Sequence, residues 1–238
     1  MAAGRGSRLS PLTDTMPKCM VELNGKPLIG YIQKAAENPA ISAVGVVVGY
    51  LAEKVETFDW IVVENKRWRT TNMIESLLSL DEWLSCDDCV VTYSDIFYGK
   101  EALVSLIKES TSSISILYSD SWKQHWIRRF ENPLEDAENF KISKDSEVLK
   151  ISGRANSMDD IDGQYMGLIK FTPLGWKVFK EKYLATKNAN IDVTGLLSLL
   201  IEDNNYSIEA IKYSGVWGEI DSLSDLNFYE SSINFKSI

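Results

Sequence analysis

The sequence predicts an α/β fold built on a mostly parallel, doubly wound sheet. Three observations carry this. Apolar runs at Ala43–Val48, Trp60–Val63 and Cys89–Tyr93 are continuous rather than alternating, which is how strands buried on both faces read. Segments of helical spacing separate them, and that alternation favours parallel pairing through crossovers. A glycine-rich loop, Ala2–Lys18, opens the chain, and Asp95 stands just after the third run. In open sheets of this class ligands bind beyond the carboxyl ends of the strands.

Taken in order, Lys26–Glu37 reads as a helix opening at Pro27, with Leu28, Ile29, Ile32 and Ala36 on one side and Pro39 beyond its end. Gly49 and Tyr50 close the Ala43–Val48 strand, and a short helix should follow. Trp60–Val63 is expected as a second buried strand. Thr71 should cap a helix running to about Leu84, with Ile74, Leu77, Leu78 and Leu80 supplying apolar positions. After the Cys89–Tyr93 strand come a helix at Lys100–Glu109 and a strand at Ile114–Tyr118. From Ser119 to Met158 the chain is rich in charge and aromatics and no clean periodicity survives. Strand pattern returns at Asp162–Phe171. Helices follow from Thr172 to Tyr183 and from Val193 to Glu202, then a strand at Ser207–Tyr213. A last helix should run from a cap at Ser222 towards Ile233.

The 238 residues, 45% of them apolar, suffice for one domain with a subdomain. The net charge is −9 with no block of like charges, which argues against nucleic acid or an anionic membrane as partner. No apolar run reaches bilayer length and no secretory signal precedes the loop. Three cysteines, Cys19, Cys86 and Cys89, suit a reducing cytoplasm. Cys86 and Cys89 make a lone C-x-x-C, with no second pair or histidine cluster to support a zinc site. His125 is the single histidine, so a serine- or cysteine-histidine scheme has no evident motif.

The loop itself, A-A-G-R-G-S-R-L-S-P-L-T-D-T-M-P-K, has the chemistry of a polyphosphate cradle. Glycine lets backbone approach a ligand closely, and successive N–H groups in such a loop form an anion-binding nest. Arg5, Arg8 and Lys18 add positive charge. Neither the P-loop spacing nor the dinucleotide fingerprint fits, since Leu9 stands where the latter needs glycine or alanine.

The segment closely resembles the signature of the nucleotidyltransferases that make sugar nucleotides and other activated small molecules, A-A-G-x-G-x-R-x-x-P-x-T-x-x-x-P-K. Gly4, Gly6, Arg8, Pro11, Thr13, Pro17 and Lys18 occupy their motif positions. The resemblance covers nearly the whole chain. It implies a Rossmann-like three-layer fold with a mostly parallel mixed sheet and an inserted acceptor-binding subdomain: residues 1–118 mainly nucleotide-binding, 119–171 the acceptor-binding insertion and 172–238 closing the metal site. It also implies that Ala2, Ala3, Gly4, Arg5, Gly6 and Ser7 wrap a triphosphate, with Arg8 and Lys18 as catalytic cations. In that family a buried strand precedes the loop. Here the loop begins at Met1, so the reading expects the true start to lie upstream.

E-N-K-R-W-R-T-T-N-M-I-E-S-L, from Glu64, resembles the N-x-x-W…N-x-x-x-S-L pattern of the phosphocholine-cytidylyltransferase-like branch. It offers Asn65, Asn72 and Ser76 for base, ribose or substrate contacts; Ser94 joins them beside the third strand. The family's metal-binding carboxylates fall on Asp95, in Y-S-D rather than D-x-D, and on Asp221 in W-G-E-I-D-S. Glu219 stands two residues before Asp221, and on a strand that spacing shares one face. Mg²⁺, or Mn²⁺ in its place, suits few carboxylates completed by water and phosphate oxygens.

W-I-R-R-F-E-N-P-L-E-D-A-E resembles the phosphoglutamine cytidylyltransferases that supply capsule precursors. Acceptor contacts are then expected from Trp122 and Trp126 as an aromatic wall for an ammonium group. Arg128 and Arg129 offer forks for phosphate or carboxylate. Tyr165 lies in the G-x-Y-x-G form that recurs in the family. The resulting expectation is a cytoplasmic, Mg²⁺-dependent enzyme that uses CTP and a small phosphorylated acceptor. Phosphocholine, 2-aminoethylphosphonate and sugar-1-phosphate acceptors, and a silent nucleotide-binding regulator, stand as alternatives.

Overall fold

The structure is a computed structural model and describes residues 1–56, 58–188, 190–203, 206–233 and 235. In chain order its regular elements are β1 (Glu22–Leu23), β2 (Lys26–Pro27), α1 (Leu28–Ala36), β3 (Gly45–Val48), β4 (Ile61–Glu64), α2 (Met73–Leu78), α3 (Asp81–Cys86), β5 (Cys89–Thr92), β6 (Ile96–Tyr98), α4 (Lys100–Glu109), β7 (Ile114–Ser119), α5 (Trp122–Arg129), β8 (Glu138–Ile142), β9 (Val148–Arg154), β10 (Gln164–Phe171), α6 (Pro173–Ala185), α7 (Val193–Glu202), β11 (Glu209–Tyr213), β12 (Trp217–Glu219) and α8 (Leu223–Ser232). The chain divides into two compact units. One comprises Met1–Asp81, Thr92–Leu103 and Gly215–Ile238, the other Glu82–Val91 and Val104–Ser214. The architecture is α/β with a mixed sheet.

In the first unit β3 and β4 pair in parallel, Val46 opposite Val62. Met1–Ala3 runs beside β3: Ala2 N–H donates to Val47 O at 2.7 Å and Tyr50 N–H to Ala3 O at 3.0 Å. The first residues of the loop thus take a strand's place. Val46 and Val48 are buried with Ala2, Cys19 and Ile29. β4 departs from expectation: Ile61 is 52% and Val62 47% exposed. Its described pairing is with β3 alone, so it behaves as an edge strand.

β6 was not foreseen in the sequence. It pairs antiparallel with β12, with Trp217 opposite Tyr98 and Glu219 opposite Ile96. Its Phe97 is buried among Leu28, Tyr31, Ile220 and Tyr229. Gly218 serves this packing, because a Cβ there would come within 2.6 Å of both the Phe97 and Tyr229 rings.

The second unit holds a four-stranded sheet in the order β11-β7-β10-β5. β7 pairs parallel with β11 and antiparallel with β10. Phe171, Trp176 and Phe179 form a buried aromatic group. α6 is capped by Thr172 with Pro173 in its first turn, and α7 by Asp192, as the residue types favour. The stretch expected to lack periodicity is structured: it contains α5 and the β8–β9 hairpin.

Two predictions concern this framework. Gly218→Ala should destabilise the protein by about 1–3 kcal/mol through overpacking, read as a lower urea midpoint at unchanged m-value. In the second unit, burial and then the Asp192 carboxylate push Glu138 from 4.5 up to about 7, against a Thr194 hydrogen bond. The fold therefore retains a proton that the unfolded chain releases between these values, so stability falls as pH rises through that window. Glu138→Gln should lose less stability than wild type from about pH 5 to about pH 7.5 in urea titrations.

Candidate active site

The loop's geometry follows from its glycines and hydroxyls. Gly6 takes φ 72° and ψ 51°, a left-handed conformation that costs glycine little. A Cβ on Gly6 would stand 2.7 Å from Lys18 Cβ. The absence of a side chain is what lets the aliphatic stem of Lys18 pass beneath the loop. Thr13 Oγ1 donates to Gly6 O at 2.9 Å and holds the turn. Gly4, Arg5, Ser7 and Arg8 are exposed along the rim, whereas Ala2 and Ala3 are buried. Arg5 pairs with Asp14 at 2.9 Å and lies over the Tyr50 ring at 5.5 Å.

Lys18 passes under this loop into a group of carboxylates. Its Nζ lies 2.7 Å from Asp95 Oδ2 and 2.5 Å from Asp221 Oδ1. Arg8 Nη2 reaches Asp221 Oδ1 at 2.9 Å from the exposed side. Burial opposes the charge on Lys18, but Asp95 and Asp221 outweigh it, and its pKa is raised. A ligand-capable oxygen from each of Asp95, Glu219 and Asp221 lies within 4.8 Å of the others.

The pairing of β6 with β12 explains how residues 126 positions apart converge (221 − 95). Ile96 stands opposite Glu219, and Ile220 N–H donates to Asp95 O at 2.9 Å. Asp95 and Asp221 thereby sit at one end of the same ladder. β12 ends at Glu219, so Asp221 lies just past the strand.

These residues fit a divalent cation. The donor set is hard oxygen, the kind Mg²⁺ and Mn²⁺ take. Asp95 Oδ1 is buried and has no hydrogen-bond partner among the described residues. Lys18 Nζ holds the position between the two aspartates.

Beside this group is a cleft of about 150 Å³ whose lining includes Gly4, Lys18, Trp68, Asn72, Ser94 and Asp95. Ser76 also lines it but is 4% exposed, and Asn65 Nδ2 donates to its Oγ at 3.0 Å. The same Nδ2 donates to Thr71 Oγ1 at 2.9 Å, and Thr71 in turn donates to Arg67 O. Thr71 is thereby occupied, and the helix cap passes to Asn72, whose Oδ1 accepts from Glu75 N–H at 2.9 Å. The expected cap at Thr71 and the unbroken helix to Leu84 are corrected accordingly: α2 stops at Leu78 and α3 begins at Asp81. Trp68, Met73 and Tyr93 also line the cleft and were not singled out as site residues. Trp68 packs against Gly49, where a Cβ would meet Trp68 Cβ and Ala3 O, each at 2.7 Å; the sequence carries no signal for that contact.

The acceptor candidates all belong to the second unit. Trp122 and Trp126 are each 3% exposed and meet edge to face at 6.1 Å. They are packed side chains rather than an open aromatic wall, which corrects that expectation. Trp126 Nε1 donates to Asp136 at 3.0 Å, and the Arg129 guanidinium lies 5.0 Å from its ring. Arg128 is exposed and Tyr165 is half-buried on β10.

A cationic loop facing clustered carboxylates on an α/β frame defines a nucleotidyltransferase. The chain belongs to the MobA-like NTP transferase domain family, whose model matches residues 1–149. It is 34% identical to CTP:phosphoglutamine cytidylyltransferase of Campylobacter jejuni, over 95% of this chain and 96% of that protein. Against 2-aminoethylphosphonate cytidylyltransferase of Lancefieldella rimae the identity is 33%, over 42% of this chain and 43% of that one. The fold matches the structure of CTP:phosphocholine cytidylyltransferase from Streptococcus pneumoniae with a TM-score of 0.71 at 20% identity, over 97% and 95% of the two chains. No described helix is long and apolar enough to cross a membrane.

A cation held by these carboxylates would compete with Lys18 for them. Lys18→Met should therefore raise the affinity of the nucleotide-free protein for Mn²⁺ by about tenfold, equivalent to about 1.4 kcal/mol, while turnover collapses. Paramagnetic resonance of free Mn²⁺ measures the first effect and pyrophosphate release the second.

Proposed function

We propose that this protein transfers CMP from CTP to a small phosphorylated zwitterion, best assigned as L-glutamine phosphate, giving CDP-L-glutamine and pyrophosphate. The observation that carries this reading is the similarity to the phosphoglutamine enzyme across nearly the full length of both chains. The match to the aminoethylphosphonate enzyme spans less than half of either.

In the proposed reaction an acceptor phosphate oxygen forms a bond to the α-phosphorus of CTP. The bond from that phosphorus to the bridging oxygen breaks in line, and pyrophosphate leaves. The acceptor oxygen is already anionic, so no base has to remove a proton. Positioning and charge neutralisation then supply the catalysis. The loop beyond Ala2, whose own N–H is taken by Val47 O, presents backbone N–H groups to the phosphates. Lys18 and Arg8 exchange their carboxylate partners for phosphate oxygens and take up charge on the leaving pyrophosphate. Asp95 and Asp221, with Glu219 beside them, would hold Mg²⁺ or Mn²⁺, which supplies Lewis-acid stabilisation across the phosphates. Asn72, Ser76 and Ser94 border the cleft where the nucleoside would lie.

For the acceptor, residues 119–171 remain the proposed source of contacts. An Arg128 or Arg129 fork suits the carboxylate of an amino acid, a group that choline lacks. The Arg129 guanidinium already lies over the Trp126 ring, which weighs against an ammonium cage at that ring for either acceptor.

A panel of nucleotides crossed with phospho-acceptors, read by pyrophosphate release, tests the proposal. CTP with phosphoglutamine should turn over fastest, with a strict requirement for divalent metal and large losses in Asp95→Asn and Asp221→Asn. Arg128→Ala or Arg129→Ala should raise the acceptor KM by about tenfold or more and leave that for CTP within about twofold. Preference for phosphocholine, or unchanged acceptor binding in both arginine variants, would overturn the amino-acid assignment.

A further inference from the structure

Asp225 is a buried carboxylate, 5% exposed, that the reaction as described does not use. It belongs to the cap of α8. Ser222 Oγ accepts from Asp225 N–H at 3.3 Å, while Asp225 Oδ2 accepts from Ser222 N–H at 2.9 Å and from Ser222 Oγ at 2.8 Å. A capping box of this kind needs only those reciprocal bonds. Here the same Oδ2 reaches one residue further and accepts the N–H of Asp221 at 3.1 Å.

That additional bond falls on the peptide carrying a proposed metal ligand. The preceding peptide is held as well, since Ile220 N–H donates to Asp95 O at 2.9 Å. Asp95 and Asp225 together leave the backbone at Asp221 little freedom, although Asp221 lies past the end of β12. The Asp221 side chain gathers Lys18 and Arg8 at a single oxygen, at 2.5 and 2.9 Å. Its placement therefore governs where all these charges meet.

We propose that Asp225 is a positioning residue: it orients Asp221 for the cation through the Asp221 amide, beyond its role as a helix cap. This rests on the reading of Asp95 and Asp221 as cation ligands. Outer partners bonded directly to ligating groups typically cost about 10–100-fold in metal binding when lost; Asp225 acts one step removed, on the amide of the ligating residue.

Ser222 separates positioning from capping. Ser222→Ala removes the hydroxyl half of the box yet leaves the Asp225 carboxylate on the Asp221 amide, whereas Asp225→Ala takes the carboxylate from both the Ser222 and the Asp221 amides and leaves the residue 225 N–H on Ser222 Oγ. Mn²⁺ is titrated by paramagnetic resonance, alone and with a CTP analogue carrying a methylene α–β bridge, and each variant is unfolded in urea. Both variants should be less stable than wild type. Asp225→Ala should weaken Mn²⁺ binding by about tenfold or more, Ser222→Ala by less than about twofold. Asp225→Asn, which keeps an acceptor oxygen, should recover most of the affinity. Should the alanine variant not accumulate folded, Asp225→Ser, whose hydroxyl is too short to reach the amide, replaces it under the same criteria. Equal weakening in the Ser222 and Asp225 variants, or unchanged Mn²⁺ binding in the latter, would overturn the positioning role while leaving the metal reading intact. A wild type that binds Mn²⁺ no better than Asp95→Asn, with or without the analogue, would instead overturn the metal reading.

Discussion

The ammonium of Lys18 held between Asp95 and Asp221 is the interaction on which the rest of the first unit depends. Two carboxylates this close repel each other, and partial burial strengthens that repulsion. A cation between them makes the arrangement stable in the absence of ligand. Lys18 reaches it because Gly6 has no side chain, Gly6 holds its conformation with help from Thr13, and Asp221 arrives through the β6–β12 ladder. Each contribution comes from a different part of the chain, and each concerns the same few cubic ångströms.

Much of this was legible in the sequence, for reasons that differ from element to element. Gly6 could be read because its left-handed turn favours glycine, and Lys18 because a fixed cation meets the carboxylates; Gly4 and Arg8 were legible only through the motif. The α7 boundaries were accurate because Asp192 signals a start and the apolar spacing runs to Glu202. β6 escaped notice because three apolar residues after a turn look like any short run; long-range pairing with β12 makes them a strand. The exposure of Ile61 and Val62 shows the converse limit: an apolar run does not reveal whether a strand has one neighbour or two. Asp225 carried a visible S-x-x-D signal for a cap, but its bond to the Asp221 amide depends on the path of the preceding strand.

Trp122 and Trp126 illustrate a different limit. Aromatics near arginines suggest either a binding wall or a packed helix, and composition cannot separate the two. In α5 they fall four residues apart on one face; side chains so spaced meet along a helix and turn inward together. The Arg129 stacked on Trp126 is itself part of that packing. Arg128, by contrast, is exposed.

The chain between β6 and β12 has a consequence for divergence within the family. Val104–Ser214 belongs to the second unit, yet the segment leaves and returns through adjacent antiparallel strands. Gly99 N–H donates to Val216 O at 3.2 Å across their base. The two ends are thus tied together within the first unit, whatever length of chain lies between them. Loop closure depends only weakly on that length, so insertions and deletions there leave the spacing of Asp95 and Asp221 to the strand register. Such an arrangement lets the intervening chain change by whole segments, rather than by single substitutions, while the carboxylate pair is inherited unaltered.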